Sequence, residues 1–111
     1  MKHIAATFFL LVSFAVEAQP QVAEATPEEL DQYKMKTAAA CVSDAVQEGT
    51  AANRAHLFCA CMTDLVWQTM PSADLQVAYQ HSQQNAKFQE LKVLAPYIRQ
   101  AARRCKASPH L

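Results

Sequence analysis

Cys59 and Cys61 stand one residue apart inside a segment whose apolar residues recur at helical spacing. Residues two apart on a helix project roughly 200° from each other, at ~3.6 residues per turn. The two thiols therefore cannot bond to each other unless the helix opens, and each is left to face a different neighbour. Cys41 precedes the pair and Cys105 follows it. Four cysteines in an exported chain read as two disulfides, and the bonds imply an oxidising compartment. The chain that satisfies this has one helix tied on two sides, to a helix before it and a helix after it.

Export is read from the N-terminus. Lys2 gives a short basic start, residues 4–16 (IAATFFLLVSFAV) carry no charge, and Val16-Glu17-Ala18 supplies modest residues at the positions a signal peptidase reads. We expect a signal peptide over 1–18, with cleavage after Ala18. The apolar run falls short of the roughly 20 residues a spanning helix needs. No cysteine adjoins the cleavage site, which argues against a lipid anchor there. No later segment is apolar enough to insert in a membrane, and no Asn-x-Ser/Thr acceptor is present. The expected location is the periplasm or the extracellular medium.

Residues 19–26 read as a flexible leader, 27–106 as the helical domain and 107–111 as a tail. Thr26-Pro27-Glu28-Glu29 carries a capping Thr, a proline at the first helical position and a Glu three residues after the cap. Leu30, Thr37, Ala38, Cys41, Ala45 and Glu48 share a face, and Gly49, the sole glycine, is placed to stop the helix at 48. A second helix is expected over 51–69, with a stripe of Ala55, Phe58, Met62, Leu65, Val66 and Thr69. Met70-Pro71 ends it, and Ser72 is expected to cap the next helix. Leu75, Ala78 and Tyr79 begin a new face, and the polar run 81–85 blurs it. Phe88, Leu91, Ala95, Ile98, Ala102 and Cys105 then form a packing seam. Pro96 interrupts the seam, so a kink or a fresh start is expected there, and 73–106 reads as one broken helix or two. The fold class is all-α, a small bundle of three to four helices stapled by two disulfides.

Cys41 lies eight residues before Gly49 and Cys59 ten after it, so an antiparallel hairpin sets them at similar heights. Cys41–Cys59 with Cys61–Cys105 is preferred, and Cys41–Cys61 with Cys59–Cys105 is one helical turn worse. Each bond contributes about 3–4 kcal/mol on the chain-entropy argument, comparable to the stability of so small a domain.

Two chemistries compete with a staple. His56-x-x-Cys59-x-Cys61-Met62 offers soft ligands suited to Cu(I), but Cys61 points away from His56 and Cys59. Thiol–disulfide exchange wants an exposed thiol near a helix start, and this pair sits mid-helix. No metal and no other cofactor is expected.

Trp67 projects almost opposite the second helix's stripe, so it is either covered by another helix or serves as an anchor for a partner. Lys92, Arg99, Arg103 and Lys106 share a face, which reads as a solvated surface, a partner for the acidic first helix or a contact for an anionic surface. Arg103, Arg104 and Lys106 also suit the negative end of a last helix. The chain is formally neutral, yet residues 19–53 hold six acids against two bases and residues 86–106 six bases against one acid. Without a basic excess, nucleic acid is not an expected partner. His81 and His110 have no recognisable acid–base partner. A single glycine rules out glycine-rich phosphate loops, and no nucleophile elbow or His-Glu-x-x-His occurs. The expectation is a non-enzymatic protein that acts by binding an unknown protein in its own compartment, with Trp67, Arg99, Arg103 and Lys106 as candidate contacts. The alternatives are a Cu(I) protein using Cys-x-Cys and a thiol-exchange protein.

Overall fold

The first helix starts on a reciprocal pair of bonds. In the computed structural model, which describes residues 24–106, the Glu29 amide donates to the Thr26 hydroxyl at 3.1 Å and the Thr26 amide donates to the Glu29 carboxylate at 3.0 Å. Two amides that a helix start leaves open are thus satisfied, and Pro27 has none to satisfy. The helix is α1 (Pro27–Gln47). It stops where Gly49 takes φ 102°. The Gly49 amide donates to the Val46 carbonyl and the Thr50 amide to the Ala45 carbonyl, at 3.0 and 2.9 Å, the paired bonds of a Schellman ending. The signal peptide expected over 1–18, most of the leader and the tail with His110 lie outside the described residues.

α2 (Ala52–Thr69) has no side-chain cap at Ala51 and ends at Met70, which is extended (ψ 127°) ahead of Pro71. Ser72 does not cap α3 (Ser72–Gln83). Pro71 holds the cap position with φ −59° and ψ 147°, its carbonyl accepts from the Leu75 amide at 3.0 Å, and Ser72 is already helical. α3 closes as α1 does, with Asn85 in place of glycine at φ 56°. The Ala86 amide reaches back to the His81 carbonyl at 2.9 Å. Asparagine tolerates this left-handed geometry better than most residues. α4 (Lys87–Lys106) begins directly afterwards and runs through Pro96. Residues 72–106 are therefore two helices, and the break falls at Asn85 and not at Pro96. Pro96 removes the amide that the Lys92 carbonyl would accept, but both residues are exposed, so water can take that bond.

α2 lies between α1 and α4, and α3 packs on α4. Cys41 bonds to Cys59 and Cys61 to Cys105, which ties α2 to α1 and to α4. The core gathers Tyr33, Val66, Met70, Leu75, Ala78, Leu94 and Ala101, with Ala55, Cys59 and Cys105 fully enclosed. The described residues hold four helices and no strand, and none of these helices is long and apolar enough to cross a membrane.

The buried faces are turned from those the spacing predicts. α2 buries Ala55, Cys59, Thr63 and Val66, a face rotated roughly 70° from the expected stripe at ~100° per residue. Thr63 fits inside because its hydroxyl donates to the Cys59 carbonyl at 2.7 Å. α4 buries Leu94, Ala101 and Cys105, while Phe88 is 76% exposed and Leu91 47%. Along 21 residues α1 buries only Tyr33, a residue its expected face omits.

Candidate functional site

α3 has 12 residues, against 21, 18 and 20 in α1, α2 and α4. It is too short to cover its neighbours along their length. α1 and α4 flank α2, and a cleft of about 990 Å³ opens between them. Phe58, Met62 and Val66 of α2 form its floor, and Leu91, Leu94 and Ile98 of α4 form one wall. The other wall is α1 and its end, from Glu29 to Glu48, with small or polar residues such as Thr37, Ala40, Asp44 and Ala45.

One end of the cleft is shut by aromatic rings. Tyr33 lies 5.5 Å from Trp67 and 5.7 Å from Tyr79, centroid to centroid, the second pair edge-on. These are favourable tilted arrangements for rings with negative faces and positive edges. The Tyr33 hydroxyl donates to Glu90 at 2.5 Å, which joins α1 to α4. The Tyr79 hydroxyl donates to Glu29 at 3.0 Å, which joins α3 to α1. Behind α3, the Tyr97 hydroxyl donates to Asp74 at 2.5 Å.

The titrations follow from these contacts. Burial pushes the Tyr33 phenol far above its ordinary value, and the bond to the Glu90 carboxylate adds to that. The Tyr97 phenol is raised by its bond to Asp74. The Glu29 carboxyl is lowered, first by the Thr26 amide and then by the Tyr79 hydroxyl. All three tyrosines stay neutral donors at neutral pH.

The open end carries different chemistry. Asp44 on α1 and Glu48 just past its end stand there, both exposed, and neither forms an ion pair among the described residues. An ion pair joins Lys34 to Asp64 at 2.9 Å, outside the cleft lining. Lys36 and Lys87 line the shut end beside Glu29 and Glu90.

The structure separates the residues that the sequence groups as candidate contacts. Trp67 is half-buried, lines the cleft and packs on the core. Once the buried face of α2 is turned, Trp67 sits at its edge and not opposite it. Its indole N–H is enclosed without a hydrogen-bond partner among the described residues. Lys92, Arg99, Arg103 and Lys106 are exposed together on α4, on the side turned away from the cleft. Arg99, Arg103 and Lys106 therefore form a surface distinct from that of Trp67. Cys59 is fully buried and Cys61 half-buried, each in its own disulfide, and no cysteine among the described residues is free. His56 is exposed.

Sequence reasoning missed Tyr33, Glu90 and the cleft itself. Tyr33 had a signal, because it falls three residues after Leu30 and four before Thr37. The Glu90 contact spans 57 residues and has no local sign. No known protein family, curated protein or solved structure matches the chain.

Proposed function

We propose that this chain is an exported helical protein that acts by binding another protein in the same compartment, as an inhibitor, an immunity protein or an accessory, chaperone-like factor. The cleft over α2 is the surface it binds with. One observation carries this reading: α1 spans 21 residues and buries one of them, while Phe58 and Met62 on the cleft floor beside it are left half-buried by the described residues. A helix of that length is held mostly by tertiary packing, so a partner in the cleft would supply contacts that α1 lacks. The charge-free run at 4–16, with Lys2 before it, supports export, and two disulfides suit an oxidising compartment. With Cys59 and Cys61 each bonded to a different helix, Cu(I) has no free thiolate to bind, and exchange is disfavoured because Cys59 and Cys105 are fully buried from an attacking thiolate.

The test is site-specific crosslinking in the producing cell. A photoreactive residue replaces Ala40 on the cleft wall or Arg103 on the basic face of α4. A discrete adduct from Ala40 with none from Arg103 supports the cleft. An adduct from Arg103 alone moves the surface to α4, and no adduct from either ends the protein-binding reading. The mass of the exported chain, expected to begin at Gln19, checks the signal peptide in the same preparation.

A further inference from the structure

We propose that the occupant of the cleft is an amphipathic helix of the partner protein, with lysine or arginine side chains at the end that lies over Asp44 and Glu48. This rests on the reading of the cleft as the binding surface. α1, α2 and α4 line the cleft along its length, and α3 reaches it only through Tyr79, Ser82 and Gln83, so the space over α2 beyond the short α3 is open to a further helix. Along α1 and its end the cleft runs from Glu29 to Glu48, a length of roughly five helical turns at ~1.5 Å rise per residue. An apolar-floored groove of this length is read by anchors at i, i+3 or i+4, and i+7 on one helical face. An extended strand would leave its backbone groups unpaired here, since the described residues offer no sheet edge.

The charges orient the occupant. Toward the shut end the lining holds both signs, Lys36 and Lys87 with Glu29 and Glu90, and the two carboxylates already accept from Tyr79 and Tyr33. Asp44 and Glu48 at the open end have no base among the cleft-lining residues to balance them there. The end of an incoming helix that lies over them is favoured when it is basic and disfavoured when it is acidic. Met62 on the floor is unbranched and adaptable, which suits a side chain that must accommodate a guest.

The probes are two synthetic helical peptides with the same leucine face and no tryptophan, one with lysines along one end and the other with glutamates at those positions. Each is titrated into the intact exported protein. Trp67 is the sole tryptophan of the chain and lines the cleft, so its emission reports occupancy, and calorimetry gives the stoichiometry. The expected result is saturable one-to-one binding of the lysine peptide, at least about tenfold tighter than the glutamate peptide. Asp44→Lys with Glu48→Lys, both at exposed positions, should reverse that order. Leu91→Glu should weaken both peptides. Equal affinity for the two peptides, untouched by the Asp44→Lys, Glu48→Lys change, overturns the charge assignment. Failure of both peptides while the Ala40 crosslinker still captures a partner overturns the helix as occupant and leaves the protein-binding reading standing. A dimer of the chain alone that is lost on Ala40→Arg makes a second copy the occupant and also overturns the proposal.

Discussion

The Tyr33 hydroxyl meets the Glu90 carboxylate at 2.5 Å, so the one buried residue of α1 reaches over α2 to hold α4. The bond fixes the spacing of the two cleft walls at their shut end. Tyr33→Phe removes the donor and leaves the ring. We expect a loss of about 1.5–3 kcal/mol, the usual range for a hydrogen bond to a charged group, read from urea midpoints. Glu90→Gln should cost a similar amount, and the double variant little more than either one. Additive losses would show that the two residues act separately.

The lowered Glu29 carboxyl makes the start of α1 sensitive to acid. Its unfolded value is 4.5 and its folded value is lower, so the unfolded chain binds its proton first as the pH falls. The stability it contributes is full above pH 4.5 and is lost as the pH drops through the folded value. Unfolding midpoints of the parent chain and of Glu29→Gln should therefore differ at neutral pH and converge on acidification. A difference that persists below the folded value would assign the effect to something other than the carboxylate.

Tyr33 gives the opposite sign in alkali. Its folded phenol titrates well above the ordinary value of 10.0. The stability linked to it is complete below pH 10 and is lost as the pH climbs toward the raised value. Tyr33→Phe should flatten the alkaline limb of the stability profile, measured by circular dichroism during urea titration.

The two disulfides close loops of different length, with sequence separations of 18 and 44 residues. Loop-closure entropy assigns about 3 kcal/mol to Cys41–Cys59 and about 4 kcal/mol to Cys61–Cys105. Paired serine substitutions should follow that order in thermal unfolding. Removing Cys41–Cys59 should also loosen α1 selectively, since α1 has little other burial, and raise amide exchange there before it rises in α3 and α4.

Trp67 separates packing from polarity. Trp67→Ala should cost about 2–4 kcal/mol, because the ring touches Tyr33 and the core. Trp67→Phe should cost far less. The indole N–H is enclosed without a partner among the described residues, and removing it relieves a desolvated donor. A large loss for both variants would mean that the N–H is bonded in solution.

Local chemistry was legible in the chain, and the direction of each helix face was not. The Thr26–Glu29 box, the stop at Gly49 and the end of α2 before Pro71 follow from residues close in sequence, and each is present. The Asn85 stop was obscured because asparagine in a polar run has several uses, whereas Pro96 looked decisive and proved harmless on a wet face. Periodicity misplaced the faces for a physical reason. Phe58, Met62, Leu91 and Ile98 are as apolar as the core residues beside them, but they line the cleft. A hydrophobic count cannot distinguish a side chain buried by its own fold from one facing an open trough. The expected stripes of α2 and α4 merged the two sets and were pulled toward the cleft. Trp67 then looked opposite to everything, when it stands at the junction of both.

The spacing of Cys59 and Cys61 also bears on how such a chain matures. A polypeptide delivered N-terminus first presents Cys41, Cys59 and Cys61 before Cys105 arrives. Cys41 then has two candidate thiols a single residue apart, which the hairpin separates by only one helical turn, and the later arrival of Cys105 at Cys61 locks the native choice. A wrong early bond, Cys41 to Cys61, leaves Cys59 facing inward on α2 with no proper mate. The yield of the native isomer should therefore depend on bond reshuffling after delivery, so a host lacking a disulfide isomerase should accumulate the swapped form.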